Sequence, residues 1–296
     1  MKNALHGRFA AWLLVAPALL VIGVFFFLPV VAAFFMSLTD FDLYALASLK
    51  NLRFVGIANY VELMRTPLFW QALGNTLLFV VVGVPLSIAA SLGAALLLNA
   101  KLAWLKPLFR TMFFAPVVTS MVAVAVIWRY LYHTRYGFIN YAFDLLGLAP
   151  HDWLGDPHLS MPAIIFFAVW KNFGYNMIIF VAGLQSIPGE LYEAAELDGA
   201  GAFSLLRHIT LPALAPTMFM VSLLTMAGYF QLFAEPYVMT EGGPLQSTVS
   251  VLYLMYEQGF KWWNLGTATA VAFVLFVLMF AVTLLQIRFA GRGLEE

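Results

Sequence analysis

Six long apolar stretches, near residues 10–36, 72–98, 108–131, 161–184, 213–234 and 267–289, alternate along this chain with segments rich in charged, polar and aromatic residues. In hydrocarbon every backbone N–H and C=O needs an internal partner, so a run of roughly 20 apolar residues is a helix that crosses a bilayer. The pattern predicts an all-α integral membrane protein with six transmembrane helices. The segments between the runs, 39–71, 99–107, 132–160, 185–212 and 235–266, read as loops. Pro17, Pro29, Pro85 and Pro116 lie inside the runs and predict kinked spans, because each removes one helical hydrogen bond that neighbouring helices can replace.

Composition points the same way. A chain of 296 residues that is 63% hydrophobic and 10% charged has more apolar surface than one water-soluble core can hide, so lipid is part of its solvent. The first run follows Lys2 and Arg8 as a signal peptide would, but it is about twice the length of a signal-peptide core and reads as a retained span. Lys2, Arg8, Lys101, Lys106, Arg110, Arg207, Arg288 and Arg292 fall on one side of the predicted topology, in its shorter segments. Lys50, Arg53, Arg65, Arg129, Arg135 and Lys261 fall on the other, so both termini are expected in the cytoplasm.

The net charge is zero and no Lys/Arg cluster occurs, which gives no sign of nucleic-acid binding. With no cysteine there is no disulfide, thiolate metal site or thiol nucleophile. No phosphate-cradling G-x-x-x-x-G-K-[ST] loop, H-E-x-x-H or G-x-S-x-G is present, so neither ATP hydrolysis, a cofactor nor a catalytic metal is expected of this polypeptide. The first three spans share no motif with the last three, unlike many secondary carriers built from inverted repeats. The chain reads as half of a larger assembly, with residues 1–296 forming one transmembrane domain.

The segment from Ser186 to Ala200 begins with Pro188 near a first turn and ends at Gly199, which marks a short helix. Glu190 and Glu193 sit where the positive end of the helix dipole favours them, and Leu191, Ala194, Ala195 and Leu197 supply a small apolar surface. Such a helix can dock in a groove or simply connect two spans. The finer pattern is more specific. Glu193-Ala194-Ala195, three residues, Gly199, nine residues, then Ile209-Thr210-Leu211-Pro212 resembles position for position the EAA loop of binding-protein-dependent ABC importer permeases.

Further marks are similar to the sugar-permease branch of that family, which includes the maltose, lactose and glycerol-phosphate importers. They are Gly56-Ile57-Ala58-Asn59-Tyr60 in the first outer loop, Asn75-Thr76 entering the second span, and Thr240-Glu241-Gly242-Gly243-Pro244 after the fifth. The resemblance implies a MetI-like fold with a cytoplasmic coupling helix between spans four and five. It also implies a heterodimer with a second permease subunit, two ATPase subunits beneath, and an extracytoplasmic solute-binding protein. The coupling contacts would fall on Glu193, Ala194, Ala195, Gly199, Ile209, Leu211 and Pro212. The extra N-terminal spans and large outer domain of the largest maltose-type members are missing, which leaves the solute open.

Lys171 lies near the middle of the fourth span, where a cation costs several kcal/mol unless it faces protein or water. Asn172 and Tyr175 share its arc of the helix, and Ser222, Thr225 and Tyr229 form a stripe on the fifth span. Aromatic faces and amides of this kind suit a neutral polyol, and they also serve to bind helices together. In maltose-type relatives the equivalent stretches line the cavity, and the resemblance therefore points to Lys171, Asn172, Tyr175, Thr225 and Tyr229, with Val117 and Met121 from the third span. A membrane enzyme acting on lipid-linked or sugar substrates would gather titratable residues at one membrane face, but here the acids scatter. A proton-coupled carrier would need a carboxylate within a span, and only Glu235, at a predicted helix end, comes near.

Overall fold

The computed structural model describes residues 2–48, 50, 52–99 and 105–294. Lys101, counted above among the inner cations, lies outside them. The chain divides into two compact units, residues 1–66 with 254–274 and residues 67–253 with 275–296.

The first unit opens with α1 (Lys2–Ile22), a wide π turn (Gly23–Phe27), α2 (Leu28–Ser37), α3 (Leu43–Ala47) and α4 (Ala58–Arg65). The helix runs through Pro17 without interruption. At Pro29 it adapts: the Leu28 N–H reaches back five residues to the Gly23 oxygen, just where the proline ring crowds the carbonyl four residues before it. The apolar stretch Trp12–Ser37 exposes its large side chains, Phe25, Phe26 and Phe27 among them, as a lipid-facing helix must.

At its end the motif Gly56-Ile57-Ala58-Asn59-Tyr60 finds its use. Gly56 turns the chain at φ +59°, and the Asn59 amide then donates to the Ser37 and Thr39 carbonyls, each at 2.8 Å. The Tyr60 and Ser37 hydroxyls pair at 2.7 Å. These contacts satisfy carbonyls that the helix end leaves free. Nearby, the main-chain N–H and guanidinium of Arg53 both bond Asp40 at 2.7 Å, and the main-chain bond above all holds that carboxyl below its usual range.

The second unit is built on α5 (Pro67–Asn99), followed by α6 (Lys106–Val118), α7 (Met121–Leu131), α8 (Phe138–Leu145), α9 (Ser160–Gln185) and α10 (Gly189–Leu197). Next come α11 (Ala202–Leu205), a second π turn (Leu206–Thr210), α12 (Leu211–Ala213), α13 (Ala215–Phe230), α14 (Ala234–Met239) and α15 (Val251–Tyr256). Helix α15 passes into the first unit at Leu254, and the last helix, α16 (Leu265–Leu294), belongs to the first unit up to Val274 and to the second from Leu275. Helix α9 is the core, with α5, α6, α13 and α14 packed around it.

Lipid offers no hydrophobic drive for helices to associate, so close packing must supply it. Ala94, Ala95 and Leu98 of α5 meet Met177, Phe180, Val181 and Leu184 of α9 with little side chain intervening. Gly174 and Gly183 do the same on α9: a Cβ at Gly174 would fall on the Phe113 carbonyl oxygen, and one at Gly183 would lie 2.9 Å from Leu214 Cδ2.

Four helices, Trp12–Ser37, Pro67–Asn99, Ser160–Gln185 and Leu265–Arg288, are each long and apolar enough to cross alone. The third and fifth spans are more sharply bent than single spans over 108–131 and 213–234 imply, although a kink at Pro116 is expected in the third. The third breaks at Thr119–Ser120 with a bend of 101° between α6 and α7. The fifth bends by 67° between Ala202–Ala213 and Ala215–Phe230, and residues 234–239 form a separate short helix. Among the described residues, with each bent pair counted as one span, the total is up to six. Pro85, in contrast, sits within an unbroken α5.

Candidate functional site

A cavity of about 550 Å³ opens in the second unit between α5, α6, α7, α9, α13 and α14. All seven residues singled out as solute contacts line it: Val117 and Met121 on either side of the third span's break, Lys171, Asn172 and Tyr175 on α9, and Thr225 and Tyr229 on α13. Ser222, from the same predicted stripe as Thr225, opens instead onto a separate apolar groove with Ile88 and Met218.

The seven are not equally available. Tyr175 is 50% exposed and lines the cavity. Tyr229 is 4% exposed, its ring stacked on Phe79 at 4.9 Å and pressed against Gly83. Thr225 is buried and accepts the Asn176 amide at 2.8 Å. The Asn172 amide nitrogen is tied to the Ala168 carbonyl at 3.0 Å, and the residue lines the cavity.

Lys171 is 5% exposed, and its ammonium donates to the Pro116 oxygen at 2.5 Å and to the Val117 oxygen at 3.1 Å. The ion pairs among the described residues are Arg53–Asp40 and Lys261–Glu257, and neither involves it.

Sequence reasoning left several lining groups out. Gln231 and Phe233 enter from the turn between α13 and α14, Glu235 from the first turn of α14, and Phe79 from α5. Sequence reasoning considers Glu235 only as a proton carrier. Its place in the wall follows from the chain leaving α13 at Phe230, earlier than the apolar run suggested. Above the cavity, two of the sequence marks meet. The Asn75 amide donates to the Gln246 and Val249 oxygens, each at 2.9 Å, and the Thr76 hydroxyl accepts the Val251 N–H at 3.0 Å. They hold the loop that follows Gly242, which turns at φ +82°.

At the other end of α9, α10 buries none of its residues, and Leu191 and Leu197 are exposed. Its C-terminus is closed by Gly199 at φ +82°, with the Ala200 N–H returning to the Ala195 oxygen at 2.9 Å in a Schellman-type cap. The Tyr192 hydroxyl pairs with Thr210 at 3.0 Å and ties the exposed helix to the second π turn. Ile209 lies in that turn, and the Leu211 N–H reaches five residues back to Leu206, relieving the crowding around Pro212 as at Pro29. Glu193 and Ala194 are exposed, and Ala195 is half-buried.

Comparison with known proteins agrees with this architecture. Residues 87–292 match the family described as binding-protein-dependent transport system inner membrane component. The chain is 35% identical to the probable ABC transporter permease protein YurN of Bacillus subtilis, over 98% of this chain and 99% of that one. It is also 35% identical to the lactose transport system permease protein LacF of Rhizobium radiobacter, over 93% and 92% of the two chains. Among solved structures, a chain of a bacterial ABC transporter that imports the acidic polysaccharide alginate superimposes with a TM-score of 0.82, covering 98% of both chains at 20% identity, which bears on the fold. The chain belongs to the binding-protein-dependent transport system inner membrane components, the permease subunits of ABC importers.

Proposed function

We propose that this permease carries a sugar or a sugar-like solute, and that the 550 Å³ cavity is its half of the translocation path. The observation that carries the reading is that the half-exposed ring of Tyr175, the Asn172 amide and the Glu235 side chain line one cavity among the spanning helices. A ring face packs on sugar C–H surfaces, and the polar groups exchange hydrogen bonds with hydroxyls. The similarity to a lactose permease over nearly the whole chain supports the same solute class.

In this reading residues 1–296 act as one permease domain with both termini in the cytoplasm. A second permease subunit completes the path, and an extracytoplasmic binding protein delivers the solute. ATP is hydrolysed on two separate ATPase subunits, which receive α10 through the surface around Glu193, Ala194 and Ala195. The Gly199 turn and the Ile209–Pro212 segment hold that helix at a fixed angle to α9 and α13.

Co-expression with a candidate partner permease, ATPase and binding protein tests this. The assembled complex in lipid nanodiscs is expected to hydrolyse ATP, faster when sugar-loaded binding protein is added, and the isolated chain to hydrolyse none. Turnover by the chain alone, or stimulation by a loaded amino-acid-binding protein and not by any sugar-loaded one, overturns the assignment.

A further inference from the structure

The break in the third span sets a problem that one side chain solves. In a continuous helix the Pro116 and Val117 oxygens would accept the N–H groups of Ser120 and Met121. The 101° turn at Thr119–Ser120 removes both bonds: the Pro116 oxygen keeps a long 3.3 Å bond from the Thr119 N–H, the Val117 oxygen loses its helical donor, and under-satisfied carbonyls within a span are costly. The Lys171 ammonium takes those same two oxygens, at 2.5 and 3.1 Å. The Thr119 hydroxyl adds a bond to Pro116 at 2.5 Å. A buried cation also sits favourably at the C-terminus of α6, the negative end of that helix's dipole.

One turn further along α9, Gly174 lets the backbone of α6 approach so closely that a Cβ would strike the Phe113 carbonyl. Lys171 and Gly174 thus grip α6 over a single turn, and the residues on either side of the break, Val117 and Met121, both face the cavity.

We propose that Lys171 is a positioning residue, which clasps the broken third span and fixes where Val117 and Met121 stand in the translocation cavity, and that it does not contact the solute. Its ammonium is directed at two backbone carbonyls, and Glu235 in the same cavity wall opposes its charge, so an anionic solute gains no direct contact from it. The role of the cavity in transport rests on the reading above, whereas the clasp itself is a matter of structure, and one experiment separates the two.

Because the chain has no cysteine, Met121→Cys is a unique reporter of the break. The assembled complex is labelled with a maleimide in the Met121→Cys background with Lys171 intact, with Lys171→Met and with Lys171→Arg. Uptake of lactose and of its acidic analogue lactobionate is measured in the same series without the cysteine. Loss of two charge-assisted bonds is expected to change the labelling rate roughly tenfold or more in Lys171→Met, with Lys171→Arg largely restoring it. Gly174→Ala, which presses on the same turn, is expected to shift labelling as well. Uptake of every solute carried should fall by one common factor and recover in Lys171→Arg. Unchanged labelling in both Lys171→Met and Gly174→Ala overturns the clasp, as does a transport loss confined to the acidic solute. If the unmutated complex moves no sugar but the labelling still shifts, the clasp stands and the sugar assignment falls.

Discussion

Two tyrosines in one cavity show how much a residue's role depends on which of its faces is covered. Tyr229 has Phe79 on one side, Gly83 against its edge and almost no exposed surface, so it is a packing residue that happens to reach the cavity wall. Tyr175 is half exposed. Tyr229→Ala is therefore expected to destabilise the chain by about 3–5 kcal/mol, as aromatic truncations in packed cores do, and to lower the melting temperature of the purified complex. Tyr175→Ala should leave melting unchanged and raise the apparent KM for solute several-fold, in keeping with about 0.5–1.5 kcal/mol for a lost aromatic stacking contact. A drop in melting temperature for Tyr175→Ala equal to that for Tyr229→Ala would place both in the core and remove the stacking platform. Helical spacing put both residues on cavity-facing stripes, but spacing cannot see Phe79 or Gly83 arriving from another helix, and these decide which ring is free.

At the scale of elements, α10 and its cap were legible in the sequence because helix ends are local chemistry. Pro188 before the first turn and Gly199 after the last are the residues that a helix start and a left-handed C-terminal turn require, and φ at Gly199 is +82°. No heavy atom lies within 4 Å of where its Cβ would be, so the cost of a side chain there comes from the backbone conformation alone. Gly199→Val is expected to cost about 1–2 kcal/mol in that turn, to leave membrane insertion intact, and to reduce uptake and ATPase stimulation together. Gly199→Asn, which tolerates the left-handed region, should retain more of both. Equal activity of Gly199→Val and the unmutated chain would make the turn irrelevant to coupling. The break of the third span was not legible in this way. Pro116 announced a kink, but the 101° turn is stabilised by a lysine 55 residues further on, a contact that no local pattern contains. The same holds for Asn75, whose acceptors lie 171 and 174 residues away.

For the whole molecule, the unusual feature is that two of the six spans are bent pairs, and a bent pair can either cross the bilayer or return to the side it came from. Hydropathy cannot distinguish these, because both paths bury similar apolar length. The loops can. If every pair crosses, Tyr136, after the third span, and Leu245, after the fifth, lie outside, and Glu193, after the fourth, lies inside. The uneven placement of Lys and Arg predicts which side is which. All three side chains are exposed, and the chain has no cysteine of its own, so each position can be replaced singly by cysteine without a background signal. A membrane-impermeant maleimide is expected to label Tyr136→Cys and Leu245→Cys in right-side-out vesicles and Glu193→Cys only in inverted ones. Labelling of Leu245→Cys from the same side as Glu193→Cys would mean that the fifth pair, bent by 67°, turns back. Labelling of Tyr136→Cys from the inner side would mean the same of the third pair. Either result would put the cavity at one membrane face instead of along a path between two, and the permease could then no longer work by opening alternately to each side through it.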